Sequence, residues 1–266
     1  AWRVAGHLSR QLSRPLSEVV EWTELIGRGR PLPEGPPRRG APEFETLRRR
    51  MRKMASALAL ARERELEAER LAAFRDTWRA KEPAWFNAPV PSFGPRDARL
   101  LIVGLAPGLQ GANRTGRPFT GDYAGVLLYE TLGQFGFSRG TFAARSDDGL
   151  QLVDCRITNA VRCVPPENKP TPAEIATCRD FLKPTIAEMK NLRAVVALGR
   201  IAHDSTVVAL ETKKSAAPFK HGGKHVLNGL ALFSSYHCSR YNTNTGVLTP
   251  GMFCAVFAAV RGYLQQ

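Results

Sequence analysis

Three polar side chains that could take part in bond cleavage each follow a short apolar segment. Asp122 ends a glycine-rich stretch, Gly104 to Asp122, which comes after the apolar segment 98–103. Asn159 lies directly after the apolar segment 151–158, and His237 directly after the segment 231–236. A carboxylate can orient an attacking water molecule and offset positive charge. An imidazole can donate a hydrogen bond to a developing anion, and an amide can donate and accept at the same time. These three side-chain types together can stabilise charge of both signs during hydrolysis.

Each of these residues also has an ordinary structural explanation. Asp122 precedes a helical pattern and could cap that helix. Asn159 could close a turn after a strand, and a single histidine such as His237 is more often a hydrogen-bonded structural residue. Phe119, the aromatic residue of the glycine-rich stretch, would usually be expected in a core. Residue type alone therefore does not separate a catalytic role from a structural one.

An alternation of strands and helices would bring the three side chains together. Apolar runs predict strands at 98–103, 151–158, 194–198 and 231–236, and the patterns between them predict helices at 123–135, 171–190, 200–210 and 250–264. This alternation is typical of a parallel sheet covered on both faces. Ligands of such sheets bind beyond the carboxyl ends of the strands. Because Gly104, Asn159 and His237 all follow strand ends, we expect them in one site.

The first part of the chain has a different composition. Residues 1–50 are rich in Arg, Pro and Gly, which predicts poor order. A helix is predicted over 48–75, where Ala, Leu, Glu and Arg dominate without Gly or Pro. Residues 211–228 form a basic, glycine-containing connection. We expect a basic extension over residues 1–62 and a catalytic domain over residues 63–266.

Charge and cysteine content restrict the partners. Lys and Arg outnumber Asp and Glu by 38 to 24, so the formal net charge is +14 and the pI about 10.1. This indicates a polyanionic partner, nucleic acid first and an anionic membrane surface second; a basic tail on a neutral domain is the alternative. No apolar run reaches a membrane-spanning length, and we expect a cytoplasmic protein. The 5 cysteines include no Cys-x-x-Cys pair, which argues against a disulfide framework.

Three segments carry a resemblance to a known family. The stretch Gly104 to Asp122 contains Gly-Leu-Ala-Pro, Gly-Ala-Asn-Arg-Thr-Gly-Arg and Phe-Thr-Gly-Asp. It resembles the first motif of the uracil-DNA glycosylase superfamily, and most of all its family 5 (type b) branch. The segments Ile157-Thr-Asn-Ala-Val-Arg-Cys163 and Ser235-Tyr-His-Cys-Ser-Arg-Tyr-Asn-Thr-Asn-Thr-Gly246 resemble further motifs. The resemblance covers roughly residues 71–263.

The resemblance implies a three-layer α/β/α sandwich around a four-stranded, mostly parallel sheet. It implies a monofunctional DNA-repair hydrolase, a monomer without a membrane partner, that removes uracil or other deaminated bases from DNA. The matching Asp122, Asn159 and His237 would carry catalysis and uracil recognition, and Phe119 would stack on the base. The strand end and its loop would supply further substrate contacts, from Gly104, Leu105, Ala106 and Asn113. The loop 238–246 would enter the minor groove, with DNA contacts from Arg114, Arg117 and Arg240.

The resemblance also implies a [4Fe–4S] cluster on four cysteines, but the sequence departs from that pattern. Cys163 and Cys178 match the later pair. The earlier pair is missing, since Glu65-Leu-Glu-Ala-Glu-Arg70 contains no cysteine, and two thiolates do not hold such a cluster in the usual way. Either the cluster is lost, or the sequence before Leu71 does not follow the ancestral one. Val126 and Val247 replace expected polar and basic residues, which puts local DNA contacts in doubt.

Two other functions remain open from the sequence. One is a DNA-binding module that keeps the pocket without activity. The other is an unrelated α/β hydrolase, for which His203-Asp204-Ser205 is a candidate triad. Three consecutive residues cannot face each other as a triad, and the sequence contains no Gly-x-Ser-x-Gly elbow.

Overall fold

A computed structural model of the protein describes residues 2–34 and 42–266, with side chains from residue 15 onward. It forms two compact units, Ala1–Leu66 and Glu67–Gln266. The helices in the described ranges are α1 (Trp2–Gly27), α2 (Pro42–Lys81), α3 (Ala112–Thr115), α4 (Tyr123–Gln134), α5 (Pro172–Glu188), α6 (Arg200–Ala209), α7 (Arg240–Asn244) and α8 (Pro250–Gln265). The strands are β1 (Leu100–Gly104), β2 (Ser138–Arg139), β3 (Gln151–Leu152), β4 (Cys155–Asn159), β5 (Ala194–Leu198), β6 (Lys224–Leu227) and β7 (Leu230–Ser235).

The first unit contains more regular structure than its composition predicts. Poor order was predicted over residues 1–50, yet α1 covers much of this range and α2 begins at residue 42, before the predicted start at 48. Trp22 and Met51 are buried, and Arg48 donates to Glu18 at 2.7 Å. These contacts within the unit outweigh the unfavourable average composition. Part of the Pro- and Gly-rich run lies at 35–41, outside the described residues.

The second unit is built on a five-stranded sheet in the order β4-β1-β5-β7-β6. The first four of these strands are parallel, with Gly104 opposite Asn159 and Leu198 opposite Ser235 at their carboxyl ends. The mostly parallel sheet predicted from the alternation of elements is therefore confirmed. The chain crosses from β1 to β4, then to β5 and β7, through helices.

The predicted count of four strands is wrong, because β6 forms a fifth strand at the edge. It pairs antiparallel with β7 inside the stretch 211–228 that was expected to be a connection. Its residues are largely exposed and only Leu227 is buried, so the strand lacks an apolar run. The signal was the turn Asn228-Gly229, whose φ values of 48° and 82° suit a two-residue hairpin.

Helices cover both faces of the sheet, as expected for three layers. Alternate strand residues face opposite sides, so Leu100 and Ile102 pack in one core while Leu101 and Val103 pack in the other. Helices α4 and α8 complete the first core and α5 and α6 the second. Among the described residues, no helix is both long and apolar enough to span a bilayer.

Local sequence signals fix two element boundaries. The predicted strand 151–158 is interrupted at Asp154, where φ is 53° and the carboxylate accepts from the Arg99 backbone N–H at 2.8 Å. The predicted capping box is confirmed at the start of α5. The Thr171 side chain accepts from the Glu174 N–H and the Glu174 carboxylate accepts from the Thr171 N–H.

A buried ion pair lies beneath the glycine-rich stretch. The Arg117 guanidinium donates to both carboxylate oxygens of Asp148 at 2.7 Å and lies 5.0 Å from the centre of the Phe93 ring. Hydrogen bonds from Arg117 hold the pKa of Asp148 well below its ordinary value. The prediction that Arg117 contacts DNA is wrong, because the residue is only 4% exposed and its charge is neutralised inside the protein.

Removing one partner of this pair should leave an uncompensated buried charge. We expect Arg117→Ala to lower the free energy of unfolding by about 3–5 kcal/mol, as measured by urea denaturation at pH 7. Arg145→Ala is the matched control, because its 3.4 Å pair with Asp147 is exposed, and it should change stability by no more than about 0.5 kcal/mol. Equal unfolding midpoints for the two variants would contradict this account of Arg117.

Candidate active site

The carboxyl ends of three parallel strands converge on one edge of the sheet. β1 ends at Gly104 and β4 at Asn159, which lie opposite each other in register. The pairing continues past the strands, because the Ala160 N–H donates to the Gly104 carbonyl and the Val161 N–H to the Leu105 carbonyl, both at 2.9 Å. The glycine-rich stretch therefore starts beside the amide of Asn159.

Gly104 is in close contact with two of the predicted site residues. A Cβ at Gly104 would lie 2.4 Å from Asn159 Oδ1 and 2.7 Å from the Phe119 ring. Both distances are below any normal carbon contact, so the amide and the ring pack directly on the glycine backbone. Only glycine fits at this position without moving them.

Phe119 is held in a conformation that non-glycine residues rarely adopt. Its φ is 57°, and its ring is 7% exposed and stacks against His237 with centroids 6.0 Å apart at 26°. The Tyr129 hydroxyl donates to the preceding carbonyl, of Pro118, at 2.7 Å. A Cβ at Gly125 would lie 1.9 Å from the Phe119 carbonyl oxygen. The surrounding contacts thus fix a strained backbone, as is common at functional sites.

Asn159 and His237 present polar groups without protein partners. Asn159 is 6% exposed, and in the part of the chain described here no hydrogen bond joins its amide to another residue. The same holds for the half-buried ring of His237, within the described residues. Burial lowers the pKa of His237 to about 4, so the ring is neutral at pH 7 and has one N–H to donate.

Asp122 lies at the start of α4, where it accepts from the Gly125 N–H at 3.2 Å. Burial of the carboxylate raises its pKa, against backbone hydrogen bonds from Gly125 and Ala124. The residue remains exposed on its outer side. The Cys238 thiol donates to the Ala124 carbonyl at 3.5 Å, which joins this helix start to the residue after His237. Asp122 is therefore a helix cap, at the start of a helix that contacts the residue after His237.

The cluster of Gly104, Phe119, Asn159 and His237 combines a neutral N–H donor, a flat ring and an amide that is unpaired within the described residues. The Asp122 carboxylate caps the helix whose start contacts Cys238, the residue after His237. This set can bind a planar group that has both a donor and an acceptor on its edge. It can stabilise a negative charge next to the imidazole and a positive charge or a water molecule next to the carboxylate.

The other residues that were predicted to contact substrate differ in how far they are buried. Leu105 and Ala106 are half-buried directly after β1. The prediction that Asn113 binds substrate is wrong, because the residue is 1% exposed and its Nδ2 donates to Asn87 Oδ1 at 2.9 Å. Its amide holds the loop before β1 against α3 instead.

Basic and aromatic side chains are exposed on the surrounding loops. Arg114 is exposed on α3, and the exposed Arg240 guanidinium lies 5.5 Å from the centre of the Tyr123 ring. Sequence analysis did not single out Tyr123, or Tyr241, which is 74% exposed. It also missed Gly125, although a glycine inside a helix costs about 1 kcal/mol relative to alanine and was therefore a usable signal.

Cys163 and Cys178 do not form part of a four-thiolate set. Within the described residues, no group of three or more His, Cys, Asp or Glu side chains is placed to hold a metal ion. The Arg75 guanidinium donates to Cys163 Sγ at 3.8 Å, and Arg70 pairs with the capping-box carboxylate of Glu174. Cations occupy the side of the cysteine pair that faces α2. The residues present do not fit a [4Fe–4S] cluster.

His203 is a structural residue. It is buried, with Nδ1 2.8 Å from Ser234 Oγ and Nε2 2.8 Å from the Ala217 carbonyl oxygen. Both ring nitrogens are occupied, so the segment His203-Asp204-Ser205 offers no nucleophile–base pair. This removes the reason for considering an unrelated α/β hydrolase.

Comparison with known proteins agrees with this geometry. A family described as the uracil DNA glycosylase superfamily matches residues 91–261. The chain is 47% identical over 176 residues to a type-5 uracil-DNA glycosylase of Thermus thermophilus, covering 66% of this chain and 80% of the relative. It is 39% identical over 184 residues to the type-5 enzyme of Pyrobaculum aerophilum, covering 68% and 80%. A type-4 uracil-DNA glycosylase of Thermotoga maritima is 41% identical over 110 residues, covering 41% and 49%. With its strand-end cluster and these relatives, the chain belongs to the uracil-DNA glycosylase superfamily and, within it, to the type-5 family.

Proposed function

We propose that the protein removes uracil from DNA by hydrolysing the N-glycosidic bond, which leaves an abasic site. The observation that carries this proposal is the unpaired amide of Asn159 beside the unpaired ring of His237, both next to Gly104 and Phe119. Within the described residues these polar atoms are open to a ligand, which can supply their hydrogen-bond partners.

Recognition requires the base to leave the DNA stack and enter the pocket. The Phe119 ring offers a face for the base, and stacking on an aromatic ring contributes about 1–3 kcal/mol. The Asn159 amide donates to uracil O4 and accepts from N3–H. Cytosine presents an amino donor and a ring-nitrogen acceptor at these positions, so the same amide orientation rejects it. Other deaminated bases that keep the carbonyl and N–H pattern are secondary substrates of this proposal.

Bond cleavage makes the sugar oxocarbenium-like and the departing base anionic. The neutral His237 ring donates to uracil O2 as negative charge develops there. The Asp122 carboxylate orients the attacking water and offsets positive charge on the sugar. Its raised pKa strengthens it as a base. Because all of these groups come from one chain, we propose a monomer, acting on DNA in the cytoplasm.

The basic loops are proposed to bind the phosphates. Arg114 and Arg240 are exposed close to the cluster, and the formal net charge is +14. Tyr241, 74% exposed on α7, is proposed to insert beside the extruded base. Binding through phosphates releases counterions, so affinity should fall as salt rises.

The function is tested with Asp122→Asn, since asparagine caps a helix as well as aspartate does. We expect DNA binding to persist, while strand cleavage at uracil after alkali falls by about 10²–10⁴-fold. Asp147→Asn, in an exposed loop pair, is the control and should cleave like the wild type. If wild type does not cleave but still binds DNA, the alternative of an inactive binding module is correct. If Asp122→Asn cleaves normally, its proposed role is wrong.

The protonation state of His237 can be measured directly. We expect its imidazole to titrate by NMR with a midpoint near 4, because burial lowers its pKa to about 4. The resonance is assigned by its loss in His237→Asn. Since the unfolded chain takes up this proton at a higher pH, stability should fall as pH drops from about 6.5 towards 4. A midpoint above 7 would contradict a neutral donor at the site.

We also propose that the protein works without an iron–sulfur cluster. The support is chemical, because a cluster needs four suitable ligands, whereas the described residues place no group of three or more metal-ligating side chains together and a cation, Arg75, contacts Cys163. Protein purified without oxygen and incubated with iron and sulfide should gain no bound iron beyond that of a Cys163→Ser/Cys178→Ser variant. Cys254→Ser is the matched control for surface thiols. Four irons per wild-type chain, lost in the double variant, would overturn this proposal.

A further inference from the structure

The ring of His237 has no side-chain hydrogen bond within the described residues, so its position depends on its backbone and on stacking against Phe119. His237 lies two residues beyond the end of β7. The strand itself is anchored by the Gly199 N–H, which donates to the Ser235 carbonyl at 2.8 Å. Beyond Ser235 the ladder of the sheet stops. Tyr236 and His237 therefore need other contacts to hold them.

One such contact comes from the loop that precedes β6. The Tyr236 N–H donates to Nδ1 of His221 at 3.1 Å, and the two rings stack with centroids 4.9 Å apart at 15°. The loop is itself fixed to β7, because the Gly222 N–H donates to the Ser234 carbonyl at 2.8 Å and the Ser234 N–H donates to the Gly223 carbonyl at 3.0 Å. His221 is thus carried on a rigid support.

A second contact holds the other side of His237. The Asn242 side chain, on α7, donates to the His237 carbonyl at 2.8 Å. The Tyr236 N–H, one residue before His237, and the carbonyl of His237 itself are therefore bound by side chains from two different elements. A backbone held on both sides can keep an otherwise unanchored ring aimed at one place.

We propose that His221 is a positioning residue for His237, acting through the Tyr236 N–H. This inference rests on the proposed removal of uracil. His221 does not touch the base; it fixes the strand end from which His237 reaches the developing charge. No sequence motif pointed to His221, because it lies in the stretch 211–228 that was expected to be a connection.

A residue that replaces His221 must keep a hydrogen-bond acceptor for the Tyr236 N–H. Nδ1 accepts a hydrogen bond, so it carries no proton and the neutral ring is protonated at Nε2. The amide oxygen of asparagine can accept at nearly the same place. Phenylalanine keeps the stacking on Tyr236 but cannot accept. The two variants thus separate the hydrogen bond from the packing.

The test compares single-turnover cleavage of uracil-containing DNA with DNA affinity measured separately. We expect His221→Phe to slow cleavage by up to about a hundredfold, the effect of misplacing a reacting group, with DNA affinity unchanged. His221→Asn should recover most of the rate. His225→Phe is the matched control. Among the described residues, the His225 ring hydrogen-bonds to the Pro218 carbonyl, at 3.1 Å, and contacts the His203 ring rather than Tyr236.

Hydrogen–deuterium exchange over residues 230–244 gives a readout that does not need activity. Exchange should rise around residue 236 in His221→Phe and stay near wild type in His221→Asn. The positioning role is overturned if His221→Phe cleaves and exchanges like the wild type. It is also overturned if His221→Phe and His221→Asn lose the same amount of cleavage rate. If wild type itself leaves uracil in place, the proposed function fails, and the exchange data still decide whether His221 holds the strand end.

Discussion

The site depends on the absence of a side chain at Gly104. Neighbouring strands lie about 4.8 Å apart, and the register puts Asn159 directly opposite Gly104. Without a Cβ, the Asn159 amide and the Phe119 ring both reach the glycine backbone. Any larger residue would push one of them away, so the amide proposed to read the base edge and the ring proposed to stack on the base share one packing constraint. The sheet thereby sets the spacing of recognition groups that are far apart in sequence.

This arrangement opposes stability locally. A positive φ at Phe119 costs about 1–3 kcal/mol. The compensation lies nearby, because Arg117 forms its buried pair with Asp148 only a short distance before Phe119 in the chain. Arg117, which was predicted to contact DNA, instead fixes the loop that carries the Phe119 ring. Local strain is therefore offset by a polar contact beneath the same loop, as well as by the two cores.

The sequence predicts most of the fold and the strand-end residues, for identifiable reasons. Buried parallel strands are short apolar runs, so β5 is predicted to the residue, and the capping box marks the start of α5. Edge strand β6 has no such run, and only Asn228-Gly229 indicated it. Burial of an individual arginine or asparagine depends on partners distant in sequence, such as Asp148 for Arg117 and Asn87 for Asn113. Composition cannot reveal those partners, which explains why both were assigned to ligand binding.

The segment after β4 shows how the site can be held without a metal cluster. Asn159 is followed by Ala160 and Val161, whose N–H groups bond to the first residues of the glycine-rich stretch. A little further on, Cys163 accepts a hydrogen bond from Arg75, and Arg70 on the same helix pairs with Glu174 at the start of α5. Charge-assisted bonds of this kind are stronger than neutral ones, and they fix the segment at its far end. Since its near end is fixed by hydrogen bonds to Gly104 and Leu105, the segment that begins with Asn159 is held by protein contacts at both ends.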